Sequence, residues 1–106
     1  MKAERLKREF ADRGVGHDDR GPLLRPPDAL ELVNRAADEG VPIVDVAGFR
    51  DRETSLGSSA EQLADFSPRV AEGHGCWEEA EAVIRTRGAP GMVFGLTLGD
   101  DPIEVV

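Results

Sequence analysis

The chain has 106 residues, 40% hydrophobic and 32% charged, with a formal net charge of −8, a length that fits one domain with its own core. Five bases and three acids leave residues 1–13 at +2, so residues 14–106 carry −10; such a body repels phosphate and excludes a nucleic-acid binder built on a basic stripe. The single cysteine, Cys76, excludes an intrachain disulfide, no run approaches the ~18 apolar residues of a membrane span, and "MKAERLKREF" has no apolar run behind its charges to make a signal peptide, so a cytoplasmic location is expected.

Residues 2–13 read as a helix, with Ala3, Leu6 and Phe10 forming a thin apolar stripe and Gly14 a natural stop. So narrow a stripe predicts loose docking or fraying. "GVGHDDRGPLLRPP", residues 14–27, is punctuated by glycine and proline and reads as a linker loop pinned by Leu23 and Leu24. The next helix is expected over 28–39, with Asp28 and Glu31 at capping-box spacing, one face made of Ala29, Leu30, Val33, Ala36 and Ala37, and Gly40 closing it.

"PIVDVAGF", residues 42–49, carries the first strand, over 42–47. Period-two alternation puts Ile43, Asp45 and Ala47 on one face and Val44, Val46 and Gly48 on the other. A polar loop follows over 50–59. Ser58 and Glu61 then suggest a second capping box, opening a short helix through Ala60, Leu63 and Ala64 that Pro68 ends. Residues 69–75 read as loop. A helix is expected over 77–87, with Trp77, Ala80, Val83 and Ile84 on one face, acids at its start and arginines at its end. "MVFGLTL", residues 92–98, is the second strand, and "IEVV", residues 103–106, could add an edge strand. A parallel pairing of the two main strands would require a right-handed crossover.

Chemistry-bearing residues are sparse. In "GHGCW", Cys76 stands before a helix, where the dipole can lower a thiol pKa, and His74 is two residues away. Glu78 and Glu79 oppose a thiolate there, so a packing or capping role is the simpler reading, and no zinc set is complete. "HDD", residues 17–19, could contribute to a cation site or be a solvated loop. "SLGSS", residues 55–59, lacks the lysine and spacing of a phosphate loop. Asp45 faces water, pairs with an arginine, or belongs to a small pocket with Arg50 and His74. The charged rim Phe49, Arg50, Asp51, Arg52 and Glu53, beyond the end of the strand, suits a protein contact surface.

"GVPIVDVAGF" followed by "LADFS" resembles small uncharacterised bacterial proteins, some of them similar to immunity proteins of polymorphic toxin systems. Gly48, Phe49, Asp65, Phe66 and Ser67 carry the likeness, which spans about residues 30–67. The resemblance implies an α/β fold, neutralisation of a partner toxin and no catalytic residues.

The expectation is therefore an α/β or α+β fold, with a two- to three-stranded sheet covered by three to four helices. Residues 1–14 would be an amino-terminal helix, 15–27 a linker and 28–106 a single domain. A non-enzymatic, immunity-like module would bind a basic protein through an acidic surface, without a cofactor, metal, nucleic acid or membrane. The rival is a small enzyme or ligand-binding domain around Asp45, Arg50 and His74. A third reading is a homodimer paired through a free sheet edge.

Overall fold

The computed structural model describes residues 2–14, 16–18, 21–50, 61–88 and 92–99; for residues 2, 16–18, 21, 49, 50, 61 and 62 only the backbone is described. In chain order the elements are α1 (Lys2–Ala11), β1 (Gly16–Asp18), β2 (Gly21–Leu23), α2 (Pro26–Glu39), β3 (Ile43–Arg50), β4 (Glu61–Asp65), α3 (Ser67–Ala71), α4 (Trp77–Arg87) and β5 (Met92–Leu98). The fold is α+β: among the described residues, four helices accompany a three-stranded antiparallel sheet of order β4-β3-β5. Its strands are antiparallel throughout, so no parallel crossover arises.

The core lies on one face of this sheet. Ile43, Val46, Phe94, Leu96 and Leu98 from the strands pack with Leu6 and Phe10 of α1, Leu32 and Val33 of α2, and Ala80 and Ile84 of α4. Each large side chain fully buried there contributes about 1.5–3 kcal/mol. Despite its thin stripe, α1 is firmly docked: Ala3, Leu6 and Phe10 are all buried. Ion pairs flank the seam, with Arg35 Nε 3.0 Å from Glu9 Oε2 and Arg13 against both Glu31 and Asp28. Arg13 also lies over the Phe10 ring, 4.9 Å from its centroid.

Helix α2 starts two residues earlier than its capping box suggests. Pro26 and Pro27 occupy its first turn, where their missing N–H groups cost nothing, and no side chain caps the start. Asp28 sits inside that first turn, within reach of Arg13 at 3.7 Å. The buried face is Ala29, Leu32, Val33 and Ala36; Leu32 joins the expected set, Leu30 is half-buried against the core and Ala37 is exposed. Gly40, at φ 74°, closes the helix: its N–H donates to the Ala37 carbonyl and the Val41 N–H to that of Ala36, a Schellman arrangement.

The stretch expected to be linker contains a small antiparallel hairpin, β1 with β2. Its exit residue, Leu24, exchanges both backbone hydrogen bonds with Phe94, at 2.8 and 2.7 Å, which extends the sheet beyond β5. Residues 61–65, expected to be helical, form strand β4 against β3. Pro68 does not end a helix but starts one, in the first turn of α3.

Strand β3 carries a bulge. Ile43 pairs with Leu98 and Asp45 with Thr97, so Val44 is the extra residue. The bulge resets the alternation and brings Ile43 to the core face with Val46, contrary to its expected place beside Asp45. From Asp45 to Arg50 the pairing with β5 is regular. The second face of the sheet is therefore set by Asp45, Ala47, Val93, Gly95 and Thr97, and Leu23 of β2 packs against Ala47 and Val93 there. No described helix is long and apolar enough to cross a membrane.

Candidate functional site

Asp45 is half-buried on that second face. It stands opposite Thr97 of β5 and Asp65 of β4. The Thr97 Oγ1 hydroxyl donates to Asp45 Oδ1 at 2.8 Å. Two carboxylates directly opposite across a strand pair repel. The fold limits this by engaging Asp65 elsewhere: its Oδ1 accepts from the Ser67 N–H at 2.9 Å and from the Ser67 hydroxyl at 2.6 Å. These two bonds hold the Asp65 carboxyl below its ordinary value of 3.8.

That geometry accounts for the "DFS" string. Asp65 ends β4 and, through Ser67, starts α3. Between them Phe66 turns into the core, and its N–H donates to the Val44 carbonyl at 2.7 Å. Asp-Phe-Ser is thus a strand-to-helix junction in which each residue has a structural task. Gly48, the other described part of the resemblance, sits where an added Cβ would meet Leu63 Cδ1 at 2.9 Å.

"GHGCW" is a second junction, between α3 and α4. The Gly75 carbonyl accepts from the Ile43 N–H at 3.0 Å, which ties the loop to the start of β3. The Trp77 indole Nε1 donates to the Val41 carbonyl at 2.7 Å. The ring lies so close over Gly75 that a Cβ there would come within 2.3 Å of it. Cys76 is buried at the start of α4 with a left-handed backbone, φ 61°. Its Sγ points toward the His74 carbonyl, 3.9 Å away. Burial pushes the thiol above its ordinary value of 9.0, and Glu79 adds to the effect. Desolvation and the Glu79 carboxylate therefore disfavour the thiolate at this helix start, with Arg69 opposing them to a smaller extent.

His74 is exposed in the same loop, with Glu72 Oε2 at 3.9 Å from its Nε2. Arg50 lies at the far end of β3, paired with Met92. It stands five positions along β3 from Asp45, about 16 Å at ~3.3 Å per residue. Thr97 is one partner of Asp45, and Glu72 lies beside His74. The Arg50 and Phe49 side chains, with Asp51, Arg52 and Glu53, lie outside the described residues, as do "SLGSS", Asp19 and the side chains of His17 and Asp18. Among the described residues, no group of three or more His, Cys, Asp or Glu could hold a metal ion.

Thr97 is the contributor to this site that pattern reasoning did not single out. Its signal was present: alternation along β5 puts Val93, Gly95 and Thr97 together, and Thr97 is the polar member of that face. Partnership with Asp45 became visible only once the register was known. Comparison with known protein families and with curated proteins finds no match to this chain.

Proposed function

We propose that the chain is a non-enzymatic protein-binding module, immunity-like in kind, that presents an acidic surface to a basic protein partner. The observation that carries this reading is the balance of charge. Local ion pairing engages Arg8 with Glu4, Arg13 with Glu31 and Asp28, Arg35 with Glu9 and Glu39, Arg69 with Glu79, and Arg85 with Glu81. Ion pairing leaves the chain's net charge of −8 in place as a surplus negative field, with these bases already set against acids of the same chain. Exposed acids such as Asp65, Glu72 and Glu78 contribute to it. A field of this sign steers a basic partner and repels an acidic one. A second support is that the conspicuous strings "DFS" and "GHGCW" have structural tasks, which leaves recognition to the surface.

The test is affinity capture with the immobilised chain from a lysate of the organism that makes it, beside a Glu72→Lys/Glu78→Lys variant. The expected result is a basic protein retained at low salt by the wild type and retained less by the variant. A tightly co-purifying metabolite, with no protein retained, would overturn the proposal and favour a pocket near Asp45.

A further inference from the structure

Helices α2 and α4 pack antiparallel. At one end the Trp77 indole Nε1 donates to the Val41 carbonyl at 2.7 Å, just past the close of α2. At the other, Gly88 lies against Pro26, where an added Cβ would be 3.4 Å from the proline ring. This pairing sorts charge. Among the described residues, the Trp77 end gathers Asp38 and Glu39 from the last turn of α2 and Glu78 and Glu79 from the first turn of α4, with Glu72 in the loop before it. The bases beside them, Arg35 and Arg69, are paired with Glu39 and Glu79. The far end carries Arg25, Arg85 and Arg87. Arg5 and Lys7 belong to α1, which packs against α2 and β2.

Trp77 stands within the acidic end. It is half-buried, and its ring is fixed twice, by the Nε1 bond and by close contact with Gly75. An aromatic surface held in this way needs no ordering when a partner arrives. Tryptophan is a favoured anchor at protein interfaces, and its π-face attracts a guanidinium. We infer that the basic partner docks at this end of the α2–α4 pair through an arginine-bearing segment, with a guanidinium on the exposed part of Trp77 and the carboxylates of Asp38 and Glu78 beside it. This rests on the acidic-surface reading above and gives that surface its place.

The test titrates a short arginine-rich peptide lacking tryptophan into the wild-type chain, Glu78→Lys and Asp12→Lys, in about 0.1 M salt, where screening acts over ~10 Å. Both residues are exposed, and both substitutions change the charge equally. Asp12, however, adjoins Arg13, which reaches the start of α2 at Asp28, about 15 Å of helix from Asp38. A saturable change in Trp77 emission is expected, with binding weakened about three- to tenfold by Glu78→Lys and less than about twofold by Asp12→Lys. Equal weakening by the two substitutions would overturn the assigned place and leave the acidic-surface reading standing. Calorimetric binding with unchanged Trp77 emission would do the same. No binding to the wild type would overturn both.

Discussion

Replacing Gly75 with alanine places a methyl group inside the Trp77 ring. The added Cβ would lie 2.3 Å from Cη2 and 2.4 Å from Cζ2 and Cζ3, well inside contact distance. The backbone is tied at this point, because the Gly75 carbonyl accepts from Ile43 at 3.0 Å. The ring must therefore move, although Nε1 anchors it to the Val41 carbonyl at 2.7 Å. Overpacking costs about 1–3 kcal/mol, and a lost hydrogen bond about 1 kcal/mol more. Gly75→Ala should thus destabilise the protein by about 2–4 kcal/mol, a large part of the ~5–15 kcal/mol typical of a domain. Trp77 is the only tryptophan, so its fluorescence reports both the urea transition and the displacement of the indole. A lower midpoint with a red-shifted native emission is expected. In a Trp77→Phe background, followed by circular dichroism, the same substitution should cost at least 1 kcal/mol less, the coupling expected of two residues in contact. A Gly75→Ala protein within about 0.5 kcal/mol of wild type, the usual scale of a neutral surface change, with unshifted emission would refute the proposed packing of this junction.

Other substitutions test the remaining joints. Phe10→Ala should cost about 3–5 kcal/mol in denaturant unfolding, because the ring is 1% exposed and anchors α1 to the core; a loss near zero would mean that α1 is dispensable. Thr97→Val removes the donor to Asp45 and should cost about 0.5–1.5 kcal/mol, measured by the same method. Asp65→Ala should lower the melting temperature at neutral pH. The Asp65 carboxyl is depressed on folding, so its stabilisation is full above its ordinary value of 3.8 and fades as pH falls through the lower folded value. The gap between wild type and variant should therefore close in acid, and a gap independent of pH would contradict the Ser67 bonds. Cys76 should react with a thiol-specific alkylating reagent near pH 8 more slowly than free cysteine does, since burial and Glu79 disfavour the thiolate.

The elements legible from the chain are those whose local signals agree with their packing. In α4, the apolar face, the acids at the start and the arginines at the end all point one way, and its bounds are those expected, Trp77–Arg87. Strand β5 likewise runs from Met92 to Leu98 with the expected alternation. Where local and tertiary preferences conflict, the tertiary contact prevails. Residues 61–65 look helical because Ser58 and Glu61 mimic a capping box, yet pairing with β3 makes them a strand. Glycine and proline in residues 16–23 favour a loop, but Leu24 docking on Phe94 supports a hairpin there. The bulge at Val44 leaves no trace in the pattern, so the face of Ile43 could not be read from alternation. Asp45 and Thr97 each stood out by type, as a carboxylate and a hydroxyl in apolar strands, but only the β3–β5 register joins them. The Asp65–Ser67 contact is local, two residues apart, and was visible as "DFS" without its meaning as a junction.

The dependence of partner affinity on salt bears most directly on binding through surplus negative charge. The captured protein, titrated calorimetrically into the chain across a sodium chloride series from 0.05 to 0.5 M, should bind progressively more weakly as screening shortens the reach of the field from about 14 Å to ~4 Å. The Glu72→Lys/Glu78→Lys variant should bind more weakly at low salt and converge on wild type at high salt. An affinity that stays constant across the series, equal for both proteins, would contradict recognition by the acidic surface.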